Sequence, residues 1–219
     1  MTSRRLTRHL PREFPVLSIG LATLALTLSI VPGAAEALQF DRTAIGAGAW
    51  WRLISGHFVH WTGDHLAWDL AAFLLIGSLM ERVSRRLLLA TLALATVIIS
   101  TQVWFLEPAF VTYRGLSGLD SALFMALVVD QVAVAARRRA WTMAVGPIIA
   151  FAGLSAKFAF EAVTGQAVFV ASGAAFVPVP SAHVAGALAG AIAALVGVAR
   201  SSVQNRGRTT PARARQSSA

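Results

Sequence analysis

The sequence contains no cysteine, which excludes disulfides, thiol catalysis and thiolate metal sites. It is also poor in charge. Asp, Glu, Lys and Arg make up 13% of its 219 residues, against about 25% in a soluble domain. Hydrophobic residues reach 56% and the mean hydropathy is +0.65, so too little polar surface exists to coat a water-facing globule. The net charge of +9 would suggest nucleic acid if the basic residues formed a surface patch, but they are parked in short groups. Four Arg lie in residues 1–12, five in 200–219, and six in the clusters Arg82/Arg85/Arg86 and Arg137/Arg138/Arg139. Basic residues between long apolar runs mark the ends of membrane helices. The composition points to an all-α polytopic membrane protein whose surroundings are lipid, with no role for nucleic acid.

A crossing helix needs about 20 mostly apolar residues. Six segments serve: 14–31, 65–80, 87–106, 117–136, 140–163 and 182–199. An even number puts both termini on one side, and the Lys/Arg bias sets which side that is. The N-terminus, the 81–86 and 137–139 turns and the C-terminal tail hold fifteen of the nineteen basic residues. The other side has Arg42, Arg52 and Arg114, with Lys157 inside the fifth span. Both termini are therefore expected in the cytoplasm. The expected organisation is a basic N-terminus over 1–13, a six-helix domain over 14–199 and a basic, disordered tail over 200–219 that is solvated or touches anionic lipid. Ala35-Glu36-Ala37 looks like a signal-peptidase site. The 18-residue apolar run before it exceeds a signal core of roughly 7–15 residues, and cleavage would break the charge pattern. A retained first helix is expected.

The fourth span is clean only from Ser117 to Val129, where Asp130-Gln131 intervenes. Thirteen residues make about 20 Å of helix, so with Asp130 near the cytoplasmic interface the helix begins below the outer surface. The preceding chain must dip inward, which is tolerated only where protein buries it or it lines a wet cavity. At that N-terminus stands Gly115-Leu116-Ser117-Gly118. The glycines permit a tight turn around an uncrowded hydroxyl, and a helix N-terminus can stabilise an oxyanion. Small residues also serve plain helix packing, and Leu119 departs from the hydrolase elbow Gly-x-Ser-x-Gly.

His183 opens the sixth span, followed by Gly186 and Gly190 in Gly-x-x-x-Gly spacing, a face that lets a neighbouring helix approach closely. Gly118 and Ala122 repeat that spacing on the fourth span. Packing of the two faces would bring His183 within reach of Ser117 and activate it as a nucleophile. The alternative is an interfacial, snorkelling His. Three His lie within nine residues at His57, His60 and His65. Their spacing does not match a helical zinc motif and no Glu lies near, so no metal is expected. His65 and Asp69 share one helix face.

A six-span bundle with Gly-x-Ser-Gly opening the fourth span and Ala-His-x-x-Gly-x-x-x-Gly on the sixth resembles the rhomboid intramembrane serine proteases. Trp51-Arg52 in the first loop and the His-rich approach to the second span, His60 included, resemble the family too. The likeness covers roughly residues 14–199. The short chain and the Gly-His-Phe-Val-His run over 56–60 are similar to the rhombosortase branch in particular. The resemblance implies that Ser117 is the nucleophile and His183 its general base. It further implies an oxyanion site from His65 and the Ser117 N–H, with Asp69, Gly115 and Gly118 around it. Glu81-Arg82 matches a structural acidic–basic pair at the end of span two. No cofactor is implied. The implied setting is the cytoplasmic (inner) membrane, with a site open to the extracytoplasmic side. The implied partners are membrane proteins with a single transmembrane segment, some bearing a C-terminal Gly-Gly sorting tail.

Two positions depart from the family pattern. Asp69 stands where many rhomboids have an oxyanion-binding Asn, and Ser121 where many have an aromatic beneath the catalytic His; Asp120 beside it is unusual as well. An ionised Asp69 aimed at the oxyanion would oppose the developing charge. It must be protonated, turned away, or paired with a cation such as protonated His65. Burial favours the neutral form, a hydrogen-bond donor that mimics Asn, and this form is the expectation. The alternatives to a protease are a non-catalytic rhomboid-like protein that binds or escorts membrane helices, and a small transporter, against which the lack of paired broken helices counts.

Overall fold

The computed structural model describes residues 14–166, 168 and 179–209; the basic N-terminus over 1–13 and the end of the tail lie outside the described residues. Within them the chain is helical, in the order α1 (Val16–Ile30), α2 (Ala34–Leu38), α3 (Arg42–Gly46), α4 (Arg52–Ser55), α5 (Gly63–Val83), α6 (Arg85–Leu106), α7 (Ser117–Arg138), α8 (Val145–Thr164) and α9 (Pro180–Thr209). Among the described residues four stretches are long and apolar enough to cross a membrane: Arg85–Leu106, Ser117–Arg138, Trp141–Thr164 and Pro180–Arg200. Helix α6, with 22 residues, spans about 33 Å. Helix α1 is apolar but has only 15 residues. Helix α5 has 21 residues yet carries Asp64, Asp69, Glu81 and Arg82, and these dilute its hydropathy.

Side-chain caps and special backbone set the boundaries. Thr62 accepts from the His65 N–H and opens α5. Ser84, in extended conformation, ends α5 and accepts from Leu87 N–H to start α6. Helix α8 stops at Gly165, in the left-handed conformation typical of a C-terminal cap. Helix α9 runs ten residues past Ala199, where a disordered tail was expected to begin. Over that stretch only Gly207 weakens the helix, and Pro211 stands just beyond its end.

The first loop folds back over the bundle. Its two-residue strand β1 (Phe40–Asp41) pairs antiparallel with β2 (Thr112–Tyr113), Phe40 opposite Tyr113. This pins the loop to the segment that precedes α7. Arg42 then donates to the last carbonyls of α6, those of Val103, Trp104 and Glu107 at 2.7–3.1 Å. A cation at a helix C-terminus satisfies carbonyls that have no partner within the helix.

At the other end, Glu81 accepts from the N–H groups of Leu17 and Ser18 and from the Ser18 hydroxyl, capping α1. Its ion pair is with Arg85, at 3.2 Å, and Arg82 is exposed. Arg82, the basic member of the Glu81-Arg82 motif, takes no part in that ion pair. Residues four apart share a helix face and adjacent ones do not.

The tightest contact in the bundle joins α7 and α9. A Cβ built on Gly186 would lie 2.0 Å from the Gly118 carbonyl oxygen, and one on Gly190 would lie 2.0 Å from that of Ala122. The two small-residue faces meet backbone to backbone. Gly190→Ala should therefore force the helices apart and cost about 1–3 kcal/mol, as overpacking does. Gly20→Ala on α1, where nothing lies within 4 Å, should be neutral or gain up to about 1 kcal/mol from helix propensity. Thermal unfolding of the two variants in detergent checks the contrast.

Candidate active site

The site is built around the turn into α7. Gly115 has φ of +126°, and a Cβ there would lie 2.8 Å from the His65 ring and 3.3 Å from Asp69 Oδ2. Only glycine supplies that conformation without a side chain in the way. Its N–H donates to the Gly56 carbonyl, tying the turn to the His-rich loop. Leu116 is fully buried, and the chain bends so that Ser117 is the first residue of α7.

Ser117 and His183 come together. The Oγ of Ser117 is 2.9 Å from Nε2 of His183, within hydrogen-bond range. The other ring nitrogen, Nδ1, is 3.1 Å from Glu161 Oε2. The Phe158 ring stacks on the His183 ring, centroids 5.6 Å apart and planes 21° apart. Ser121, standing where an aromatic support was expected, instead donates its hydroxyl to the Ser117 carbonyl. The stacking partner comes from α8.

Glu161 and Phe158 were missed in the sequence. Lys157 had been noticed only as a charge inside a span. Yet Lys157 and Glu161 stand four apart in an apolar helix and pair at 2.7 Å. An ionisable pair at that spacing within a span is the signal that would have found them.

Asp69 lies beside the nucleophile. Its Oδ2 accepts from the N–H groups of Leu116 at 2.9 Å and Ser117 at 3.1 Å. Both His60 and His65 bring Nε2 to 3.2 Å of the same oxygen. At this oxygen Asp69 is an acceptor and not the donor that was expected. Two N–H groups at a helix N-terminus point at it and can only donate, so it accepts. The Ser117 N–H, expected to be free for an oxyanion, is engaged by Asp69.

The remaining residues divide between scaffold and site. His57 turns away from the other two histidines toward Ser100, at 3.1 Å, so the three do not converge. Burial pushes its pKa down to about 4, which keeps it neutral. Arg52 donates to the carbonyls of Glu36 and Gln39, while Trp51 beside it is exposed. Arg114, unremarked in the sequence beyond its charge, holds Gln39, Glu36 and the His60 carbonyl and stacks over Trp61. That positions His60 against Asp69. Gly118 sits under Ala182, where a Cβ would lie 3.3 Å from that carbonyl oxygen. Asp120 is buried, and neither of its carboxyl oxygens has a hydrogen-bond partner among the described residues.

A polar hydroxyl, an imidazole with both nitrogens engaged and a cluster of donors at a helix N-terminus make an arrangement suited to acyl transfer. A protein-family model described as Rhomboid domain matches residues 47–200, more than half of the chain. No curated protein matches the sequence.

Asp69 is expected to matter first as an acceptor. Asp69→Ala leaves two buried N–H groups unsatisfied, at about 1–3 kcal/mol each, and should lower the melting temperature markedly. Asp69→Asn keeps an acceptor oxygen and should lose less than half as much. Equal losses in the two variants would show that the charge, and not the acceptor, holds the turn.

Proposed function

The chain belongs to the rhomboid family, whose members are generally intramembrane serine proteases, and from that premise we propose that it is a serine endopeptidase. It cleaves a peptide bond in or near the transmembrane segment of membrane-anchored substrates. The observation that carries this reading is the 2.9 Å contact between Ser117 Oγ and His183 Nε2 at the N-terminus of α7. In the proposed reaction Ser117 Oγ attacks the scissile carbonyl while His183 Nε2 takes its proton. His183 returns that proton to the leaving amine, and water then resolves the acyl-enzyme by the same path. The Ser117 N–H exchanges Asp69 Oδ2 for the substrate oxygen as the tetrahedral intermediate forms, with His65 as the second donor. Neither metal nor cofactor enters any of these steps.

The proposed topology has six crossings, with α1 and α5 added to the four longer helices, and both termini in the cytoplasm. The Arg clusters support it. Arg82/Arg85/Arg86 and Arg137/Arg138/Arg139 lie at the ends of α5 and α7 remote from Asp69 and Ser117, and this charge bias supports a site open to the extracytoplasmic side of the inner membrane. Substrate choice follows the likeness to the rhombosortase branch: exported proteins with a Gly-Gly motif, one membrane helix and a basic tail at the C-terminus.

A fluorophosphonate probe on the purified protein tests the chemistry. Wild type should be labelled, and Ser117→Ala and His183→Ala should each lose labelling and cleavage of a model membrane substrate while still folding. The double variant should be no worse than either single one, because the pair acts as a unit. Folded wild type that takes no label would favour a protein that binds or escorts helices without cutting them. For substrate choice, a Gly-Gly tail fused to a reporter should be cut at least tenfold faster than the same tail with both glycines changed to Leu. Equal rates would point to a general rhomboid protease.

A further inference from the structure

Helix α8 is mostly exposed: among its 20 residues the one fully buried side chain is Glu161, at 2% exposure. An ionisable group on an apolar helix inside a membrane is expensive and marks function by default. Its surroundings are complete. Oε1 accepts from Lys157 Nζ at 2.7 Å and from the Val168 N–H at 3.3 Å, and Oε2 faces His183 Nδ1 at 3.1 Å. With Oε1 held from two sides, Oε2 is aimed at the imidazole. On the far side of the ring, Nε2 meets Ser117 Oγ, so Ser117, His183 and Glu161 form one line of hydrogen bonds.

Resting on the protease reading, we propose that Glu161 is the positioning residue for His183, making a Ser-His-Glu relay anchored by Lys157 where a bare Ser-His pair was expected. A carboxylate can only accept, so Nδ1 must carry the hydrogen and Nε2 must present its lone pair to Ser117. That is the tautomer a general base needs. When Oγ bonds to the substrate carbonyl carbon, the Ser117 proton moves to Nε2 and the Nδ1 proton stays on the ring. The positive charge then on His183 lies beside Glu161, which does not itself take a proton. Lys157 keeps the resting carboxylate paired, as a buried charge requires. Phe158, on the same helix, fixes the plane of the ring. Helix α8 thus meets the site through three side chains within five residues, Lys157, Phe158 and Glu161.

The test is steady-state cleavage of a membrane substrate by the full-length protein, with Ser117→Ala as the zero. Glu161→Gln keeps size and shape but can turn an N–H donor toward Nδ1, favouring the wrong tautomer. By analogy with the corresponding change in a Ser-His-Asp triad, kcat should fall on the order of 10²–10⁴-fold, with KM unchanged within about threefold. Glu161→Asp should recover part of the loss. If Glu161→Gln folds poorly, Lys157→Met combined with Glu161→Gln removes both charges together and should show the same loss of kcat. Wild-type kcat in either of these variants, with Ser117→Ala inactive, overturns the relay and leaves the protease reading standing. Wild type no more active than Ser117→Ala overturns the protease reading itself.

Discussion

Everything at the site depends on how closely α7 and α9 approach. Ser117 starts one of these helices and His183 lies in the first turn of the other, so the distance between hydroxyl and imidazole is set by the distance between two backbones. Four small residues, Gly118, Ala122, Gly186 and Gly190, remove the side chains that would otherwise hold the helices apart. Within lipid no hydrophobic gain favours helix over bilayer, and close van der Waals packing takes its place. The same contact that stabilises the bundle therefore fixes the geometry on which the proposed chemistry depends.

The second organising fact is the use of charge in a chain that has so little of it. Several of the buried and half-buried charges meet backbone groups that a helix or turn leaves unpaired. Glu81 caps the start of α1, Arg42 the end of α6, and Asp69 the start of α7. Arg52 and Arg114 hold the first loop by its carbonyls. Water cannot reach such groups in a membrane, and an unsatisfied one costs several kcal/mol, so each ion performs a structural task that a polar neutral group would do less strongly. Glu161 is different: among its partners are a lysine and an imidazole, the pattern of a site rather than a cap. Asp120 differs again, since no partner among the described residues meets its carboxyl oxygens.

The helices were legible because lipid imposes a length and a hydropathy that any span must satisfy. Their boundaries fell within a few residues of the observed ones. The exception is the sixth span, whose helix runs ten residues past the expected end at Ala199, to Thr209. Ser117 and His183 were legible because each stands beside glycines at a helix end, where both packing and chemistry leave a pattern in sequence. Glu81 pairs with Arg85 and not with its neighbour Arg82, since adjacency in sequence is not adjacency on a helix. The role expected of Asp69 was argued from the family pattern, charge repulsion and burial. The two N–H groups that face it belong to a turn 47 and 48 residues away, and no local pattern announces them.

The sequence by itself determined that this is an all-helical membrane chain, where along it the long apolar helices lie, and which two small-residue faces are able to meet. Those properties follow from side-chain composition and helical period, which are local. Tertiary structure alone decided what surrounds the Ser117–His183 contact: Glu161 behind the ring, Phe158 against its face, and Asp69 on the Ser117 N–H. Each of these depends on the rotation of one helix about its own axis relative to another. That angle is set by the packing of the whole bundle and is written in no single segment.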